Sequence, residues 1–414
     1  MIENLKYYIT IMMLLMSLSM AQDYKLILNM QNNPSDTGYW WLEKNNFGIQ
    51  PNDINLQTSF ELKTLKAEYV INIIGQKGLD KPYFNESFVK YNFSEKTFLR
   101  LGQYYRDFST YLTDDTSSGS MLVSHNARAM PKIGLVSSKQ FKKVTFDFGI
   151  AHGIFDKGIY TKNPLLHEKF LYINWQKNDI HHFSIGFVHE AMWGGATSDN
   201  QEWPLRKSSN LWKDFLKVFI SADGPYEGGS HANALGNHLG IWDFSYQKQY
   251  NDQVMKLYYQ HIFEDTSSLR FANKTDGLWG IELTNYIPNS TILFEYIDTS
   301  NSRINPPYQL DYYYSNYQYI SGWTYKGNII GNPFINDDGT EAGFDERQVI
   351  HMGAKGKIGL YDYQMKLSRK VKVNDSIKYK AIIGKPVTRN LYLNLFVVNR
   401  KDTSSLGFDV YYTF

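Results

Sequence analysis

The chain ends on Leu406-Gly407-Phe408-Asp409-Val410-Tyr411-Tyr412-Thr413-Phe414. Every second residue from Leu406 to Phe414 is apolar or aromatic, so in a strand these side chains point to one face. The opposite face is mixed and has Asp409 near its centre. The stretch therefore predicts an amphipathic terminal strand that finishes on an aromatic residue.

The other end of the chain has the parts of a secretory signal. Lys6 gives a charged start, an apolar run extends from Ile9 to Leu18, and Ser19-Met20-Ala21 precedes Gln22. The apolar run is too short to span a bilayer as a helix, and the small residues suit a cleavage site. We expect residues 1–21 to be a cleaved signal peptide and residues 22–414 to be one exported domain. A buried N-terminal helix is the alternative interpretation.

Composition narrows the class of protein. The 414 residues are 16% aromatic and 20% charged, and the sequence contains no apolar run of the length that a membrane-spanning helix needs. A helical membrane protein is therefore excluded. Zero Cys excludes a disulfide framework and thiolate metal sites. The net charge of +2 comes from interspersed acidic and basic residues and predicts no nucleic-acid partner.

Amphipathic strands recur along the chain between polar stretches. Apolar side chains alternate with polar or small ones in residues 144–150, 183–187, 279–283 and 391–397. A transmembrane barrel turns the apolar face outward and keeps a polar lumen, whereas a soluble sandwich turns the same face inward. Asp147, Glu282 and Asn394 lie mid-strand on the minority faces, which favours the barrel.

The expected fold is all-β, a single transmembrane antiparallel β-barrel. At roughly 22 residues per strand and connection, the exported chain makes about 16–18 strands. One region breaks the alternation, because Leu211, Phe215 and Phe219 recur at helical spacing after Asn210, a residue type that caps helices. We predict a helix from Leu211 to Ile220, in a loop or folded against the lumen.

Both the end and the centre of the chain resemble known proteins. The terminal strand is similar to the closing strand of bacterial outer-membrane barrels, in which the final aromatic residue is read by the barrel-assembly machinery. The central segments are His189–Thr197, Leu235–Phe244, Tyr258–Asp265, Asp276–Glu282, Gly322–Tyr325 and Gly331–Phe334. Their order resembles the capsule assembly protein Wzi family of Gram-negative outer-membrane barrels, especially the form found in Bacteroidetes-type genomes. The resemblance covers roughly residues 95–414.

This resemblance implies an 18-stranded barrel that acts as an outer-membrane lectin. Such a protein helps retain and organise capsular or extracellular polysaccharide at the cell surface, without catalysis and without a cofactor. Its expected partners are that polysaccharide, outer-membrane lipid and, through the strand ending at Phe414, the barrel-assembly machinery. We expect a monomer. Enterobacterial members carry a periplasmic helical bundle, for which residues 38–43 could be at most a remnant here.

Two other functions stay open at this point. A passive porin for small solutes is supported equally well by the barrel signals. A soluble secreted protein that binds or cleaves glycans would fit the aromatic-rich composition.

Carbohydrate binding needs flat aromatic faces on which the C–H groups of sugar rings can stack. The candidate polysaccharide-binding residues are Trp193, Trp242, Tyr313, Tyr317 and Trp323. An interfacial aromatic girdle, or packing against neighbouring strands, is the alternative role for these residues.

Histidines and carboxylates raise the question of a metal site or an enzyme. Neighbouring residues of a strand point to opposite faces, so His181 and His182 cannot both bind one ion from a regular strand. Nothing in the sequence marks a catalytic pair of carboxylates. We expect neither a metal site nor catalysis.

Overall fold

The computed structural model describes residues 23–31, 54–76, 81–106, 116–156, 161–197, 205, 210–225, 234–302, 311–335, 347–371, 377–400 and 403–413. The expected signal peptide of residues 1–21, the stretch 38–43 and Phe414 lie outside the described residues. All structural statements below concern the described part of the chain.

The described elements are mostly strands. In chain order the strands are β1 (Asp23–Gln31), β2 (Ile54–Lys63), β3 (Ala67–Gln76), β4 (Tyr83–Ser94), β5 (Thr97–Tyr104), β6 (Met130–Phe141), β7 (Val144–Ile154), β8 (Thr161–Lys162), β9 (Leu165–Gln176), β10 (His181–Trp193), β11 (Ala196–Thr197), β12 (Asn237–Tyr250), β13 (Gln253–Phe263), β14 (Gly277–Thr284), β15 (Ser290–Asp298), β16 (Thr324–Tyr325), β17 (Asn328–Ile329), β18 (Gln348–Ile358), β19 (Tyr361–Lys370), β20 (Lys378–Pro386), β21 (Leu391–Arg400) and β22 (Thr403–Thr413). The helices are α1 (Leu211–Phe219), α2 (Thr266–Leu269) and a 3₁₀ turn at Pro333–Ile335.

Eighteen of these strands form one closed antiparallel barrel. Each barrel strand pairs with the next barrel strand along the chain, and β1 pairs with both β2 and β22. Leu28 of β1, for example, lies opposite Leu56 on one side and Val410 on the other. The four two-residue strands form two separate ribbons, β8 with β11 and β16 with β17. The predicted barrel class is confirmed, with the strand count at the upper end of the predicted range.

The barrel wall turns its apolar face outward. Phe148, Ile185 and Leu395 are exposed on the outer surface, while the residues beside them face the interior. Asp147 points inward, where its carboxylate accepts a hydrogen bond from Asn174 Nδ2 at 2.6 Å. Leu406 of the terminal strand is exposed, and Asp409 is buried on the inner face. Polar residues inside and an apolar surface outside are the arrangement of a barrel in lipid, and the sandwich alternative is wrong. None of the described helices is long and apolar enough to cross a membrane.

The two ends of the barrel differ. Two-residue turns join strands at one end, which we call the short-turn end: residues 95–96, 142–143, 251–252 and 359–360. In the turn after β12, Asn251 adopts a φ of 54°, the left-handed conformation that tight hairpins require. The opposite end, the long-loop end, carries longer connections, whose described parts include residues 116–129, 210–225, 264–276 and 311–335. This asymmetry is typical of transmembrane barrels, whose short turns face the periplasm.

Aromatic side chains cover glycines across the inner wall. Gly280 of β14 lies opposite Tyr258 of β13, and a Cβ at Gly280 would fall 2.0 Å from the Tyr258 ring. Gly186 and Tyr172 form a second such pair, with a corresponding distance of 2.2 Å. The absent side chain at each glycine therefore makes room for a ring that lies flat against the wall.

We expect Gly280→Ala to destabilise the barrel by about 1–3 kcal/mol, because an added methyl group in a packed site forces its neighbours to move. Tyr258 would be displaced from the wall. The measurement is the temperature at which the folded, fast-migrating band disappears on a heat-modifiability gel. Ile281→Val, next in the sequence but facing outward, is the control. An unchanged temperature for Gly280→Ala would show that the Tyr258 ring has room to shift.

Candidate functional site

Two segments from the long-loop end fold into the lumen. They are residues 116–129, between β5 and β6, and residues 311–335, between β15 and β18; together we call them the plug. Leu122, Tyr314 and Trp323 are fully buried and belong to the large apolar cluster inside the barrel. The lumen is therefore filled at this level by packed side chains.

The first plug segment can turn sharply because it is rich in Ser and Gly. Gly119 adopts a φ of 116°, a conformation that disfavours any residue with a Cβ. A Cβ at this position would also lie 2.7 Å from the Cβ of Ser124. Glycine thus allows the chain to double back inside the barrel.

Hydrogen bonds join the two plug segments to each other. The donor and acceptor pairs are Trp323 Nε1 to Leu122 O at 3.2 Å, Asn332 Nδ2 to Gly119 O at 2.7 Å, Asn126 Nδ2 to Ile329 O at 3.0 Å, Ser124 N to Ile330 O at 2.9 Å, and Tyr314 OH to Met121 O. Buried backbone groups that would otherwise be unpaired are satisfied in this way. The plug is therefore a small folded unit and not a loose strand in the lumen.

Glu295 of β15 attaches the plug to the wall. Its Oε1 accepts a hydrogen bond from Ser117 Oγ at 2.6 Å, and its Oε2 accepts one from the Ser118 N–H at 2.6 Å. Tyr258 OH, on β13, donates to the same carboxylate. Hydrogen bonds to an ionised acceptor are stronger than neutral ones, so Glu295 is the principal polar anchor of the first plug segment.

Two further wall residues hold the same segment. Gln260 Oε1 accepts a hydrogen bond from the Met121 N–H at 2.9 Å. His351 Nε2 lies 2.7 Å from Thr116 O, so this nitrogen carries the proton and donates. The other ring nitrogen of His351 lies 2.7 Å from Ser368 Oγ and accepts its proton. The anchors come from β13, β15, β18 and β19, on one side of the barrel.

Buried ion pairs lie on the other side of the lumen. Arg106 pairs with Glu190 of β10, and both side chains are almost completely buried. Lys132 of β6 lies 3.2 Å from Glu168 of β9. Removing one partner of a buried pair leaves an uncompensated charge, so these pairs fix the relative positions of the strands that carry them.

Carboxylates at the rim hold the second plug segment. Glu264 Oε2 accepts hydrogen bonds from the backbone N–H groups of Tyr312 at 2.8 Å and Tyr313 at 3.1 Å, and Asp276 Oδ2 accepts one from Tyr313 OH at 2.6 Å. Burial raises the pKa of Asp276 to about 6 and that of Asp311 to about 7. Burial also raises the pKa of Glu264 well above its usual value. The rim therefore contains acids that titrate near neutral pH.

Two tyrosines of the second plug segment point to the outside. Tyr312 is 45% exposed and Tyr317 is 42% exposed, whereas most of the segment is buried. Asn316 Oδ1 accepts hydrogen bonds from the N–H groups of Gln318 at 2.9 Å and Tyr319 at 3.0 Å, which fixes the turn that presents Tyr317. Exposed rings on a rigid base can stack on sugar rings without a large loss of conformational entropy.

The five predicted binding residues fall in three places. Trp193 and Trp242 lie on the outer wall; Trp193 is buried beneath α1, and Trp242 Nε1 donates to Leu269 O at 3.1 Å. Tyr313 and Trp323 are fully buried in the plug. Of the five, Tyr317 is the one exposed at the long-loop end.

Sequence reasoning missed the first plug segment and its anchor Glu295. The run Thr116-Ser117-Ser118-Gly119-Ser120 has the composition of a surface turn, and no periodicity marks its burial. Within the described residues, no group of three or more His, Asp or Glu side chains has the arrangement of a metal site.

A comparison with known protein families shows to which family this chain belongs. The model of the family described as capsule assembly protein Wzi matches residues 45–398. The chain belongs to the Wzi capsule assembly family. The predicted family is thereby confirmed, and the match begins earlier in the chain than the predicted residue 95.

The fold is similar to that of a solved structure from the same family. The Escherichia coli protein Wzi, an outer-membrane protein involved in group 1 capsule assembly and a carbohydrate-binding β-barrel, aligns with a TM-score of 0.62 at 14% identity, over 96% of this chain and 85% of that one. Acinetobacter baumannii OccAB4 aligns with a TM-score of 0.43 at 12% identity, over 95% and 97% of the two chains. A triple mutant of the Rhodopseudomonas blastica porin aligns with a TM-score of 0.40 at 9% identity, over 95% and 98%. No curated protein sequence matches this chain.

Proposed function

We propose that this chain is a non-catalytic outer-membrane lectin that binds capsular or extracellular polysaccharide at its long-loop end and retains it at the cell surface. The observation that carries the proposal is the plug, which fills the lumen and turns Tyr312 and Tyr317 outward. Membership of the Wzi family and the carbohydrate-binding barrel of its E. coli member support the same function.

The plug also favours this function over a passive porin. A porin needs a water-filled path, whereas here Leu122, Tyr314 and Trp323 pack tightly across the lumen and are hydrogen-bonded. A polymer held at the mouth of a closed barrel does not need to pass through it. The long-loop end then serves as a platform and the barrel as its membrane anchor.

The route to the membrane belongs to the same proposal. We infer that residues 1–21 direct export and are removed, and that residues 22–414 form one domain. The final strand, ending at Phe414, would be presented to the barrel-assembly machinery. Pairing of β22 with β1 supports this role, because this junction closes the barrel. We propose a monomer surrounded by outer-membrane lipid.

The test is complementation of a deletion strain. We expect loss of the gene to release polysaccharide from cells into the medium while total synthesis is unchanged, and the wild-type gene to restore attachment. The double variant Tyr312→Ala/Tyr317→Ala should reach the membrane but restore about a tenth of attachment, since stacking on an aromatic ring contributes about 0.5–1.5 kcal/mol per ring.

Tyr286→Ala is the matched control, because Tyr286 is equally exposed but lies in a turn at the short-turn end. It should restore full attachment. Normal retention in the deletion strain would overturn the proposed function. Full restoration by the Tyr312/Tyr317 variant would instead show that the polymer binds elsewhere on the barrel.

A further inference from the structure

The outer wall changes character part-way along β9, β10 and β12. On β9 the outward positions Leu171, Ile173 and Trp175 are exposed and apolar, as lipid contact requires. The next outward positions towards the long-loop end are Lys169 and His167, which are poorly suited to lipid. A transmembrane strand needs about 9–11 residues to cross the bilayer, so the apolar stretch on β9 is too short.

The outward face of the neighbouring strand β7 stays apolar for one position longer. Its outward residues are apolar from Val144 through Ile150, which lies opposite Lys169. The next outward residue is His152, which lies opposite His167, and Ile154 at the far end is 49% exposed.

The outward faces of β10 and β12 also become polar towards the long-loop end. His189 of β10 lies opposite Lys169 of β9, and His238 of β12 lies opposite Ala191 of β10. The wall therefore has a polar patch near the long-loop end that extends from His152 on β7 to His238 on β12.

Helix α1 covers this patch from outside the barrel. The ring of Phe215 lies 5.9 Å from that of His167 and 6.0 Å from that of Trp193, measured between ring centroids. His167, His189 and Trp193 are buried although their strands point them outward. The helix thus lies on the outer wall within the loop between β10 and β12, and not against the lumen.

Polar contacts fasten the helix to the patch. Lys169 Nζ donates to Phe219 O, a carbonyl at the C-terminal end of α1, where a positive charge is favourable. His238 Nε2 lies 2.9 Å from Leu235 O, which places the proton on this nitrogen and leaves Nδ1 to accept from His189 Nε2 at 2.9 Å. Lys169 and the His189–His238 pair are thus hydrogen-bonded within the protein. The ring nitrogens of His167 have no such partner, and α1 separates them from lipid.

The opposite side of the helix is apolar and exposed. Leu211, Trp212, Leu216 and Ile220 are between 57% and 71% exposed. At 100° per residue Trp212, Leu216 and Ile220 share one side of the helix, whereas Asp214 and Val218 are buried. Leu211, in the first turn, lies nearer to the side that carries Phe215. Lys213 is exposed beside the apolar face. An apolar strip flanked by a basic residue and carrying Trp is the pattern of a helix at a membrane interface.

We propose that α1 is an interfacial helix, and that Trp212, Leu216 and Ile220 contact the acyl chains of the outer leaflet. The helix replaces the apolar surface that β9, β10 and β12 lack near the long-loop end. Lipid is the occupant because the strip continues the lipid-facing surface of Leu171 and Ile185 on the wall below. Behind α1 the outer wall is polar, so the wall itself does not supply a lipid-facing surface at this height.

Site-directed spin labelling tests the proposal, helped by a sequence that contains no Cys. Leu216→Cys is labelled with a nitroxide, and the full chain is placed in nanodiscs that hold one barrel each. Collision rates are measured with oxygen, which concentrates in the bilayer, and with a water-soluble nickel chelate. We expect the ratio of the oxygen collision rate to the nickel collision rate at residue 216 to match that of a label at Ile185→Cys, on the lipid-facing surface of β10. It should exceed the ratio at Lys326→Cys, an exposed position of the plug, several-fold.

Lys213→Cys is the matched control on the same helix and should be more accessible to nickel than residue 216. Heat-modifiable migration verifies folding of each variant. If the label at residue 216 is as accessible to nickel as the label at residue 326, the proposal is overturned, because the exposed face of α1 would then be in water. Low accessibility to both reagents would also overturn it, because protein would then cover the face.

Discussion

Glu295→Ala is expected to turn a closed barrel into one that conducts ions intermittently. The Glu295 carboxylate accepts hydrogen bonds from Ser117 Oγ, the Ser118 N–H and Tyr258 OH. Each hydrogen bond to a charged acceptor contributes about 1.5–3 kcal/mol, and the buried Ser118 N–H would be left without its acceptor. We expect the first plug segment to be destabilised in the lumen by about 3–6 kcal/mol, so that it leaves its position in a measurable fraction of molecules.

Single-channel recording in planar bilayers measures this effect. The wild-type barrel should show no steady conductance, and Glu295→Ala should show brief openings. Glu295→Gln should be intermediate, since the amide keeps one acceptor oxygen. Glu68→Ala is the control, because it removes a carboxylate that pairs with Lys90 at 3.5 Å and does not contact the plug. A Glu295→Ala barrel as closed as the wild type would show that apolar packing alone holds the plug.

The barrel wall could be predicted from the sequence because its signal is local. Phe148, Ile185 and Leu395 each lie in a run whose alternation is visible within a few residues, and a strand converts this alternation directly into two faces. The helix was predicted for the same reason. It spans Leu211–Phe219 with Asn210 as its cap, and Ile220 ends it.

The plug could not be predicted because its partners are distant in the sequence. Asn126 bonds to Ile329, 203 residues away, and nothing within residues 116–129 indicates such a partner. The same limit applies to the candidate site. Tyr317 and Trp323 lie in one aromatic segment, yet one is exposed and the other is fully buried. Composition shows that a segment can stack on sugars, but only packing decides which rings remain available.

The position of α1 illustrates a different limit. Its amphipathic pattern predicted a helix with one apolar face, and in a barrel with a lumen that face has two possible destinations. The histidines on the wall decide between them, because His167 and His189 point outward and need a polar or aromatic cover. Their role becomes visible only when the strand register is known.

We expect the second plug segment to be held more firmly at pH 5 than at pH 8. Burial, with the nearby Asp265 and Asp276 carboxylates, raises the pKa of Asp311 to about 7 from an ordinary value near 3.8. The packed rim therefore binds this proton more tightly than the opened rim does, so stability falls as the pH rises from about 4 to 7. Above pH 7 the ionised carboxylate is buried, and its Oδ2 has no hydrogen-bond partner. The cost is on the order of 2–4 kcal/mol.

Asp311→Asn should remove the part of this pH dependence that comes from Asp311, because the amide is neutral at both pH values and fills the same space. Hydrogen exchange of residues 311–335, corrected for the intrinsic effect of pH, is the measurement. In the wild type the segment should exchange at least tenfold faster at pH 8 than at pH 5, and in Asp311→Asn the difference should shrink to the part contributed by Glu264 and Asp276. Asp156→Asn is the control, since Asp156 is a half-buried carboxylate at the edge of the plug that lies 3.7 Å from Lys326. Equal exchange of the wild-type segment at both pH values would show that the rim opens without a change in the protonation of Asp311. In that case the second plug segment would be equally rigid in acidic and neutral surroundings.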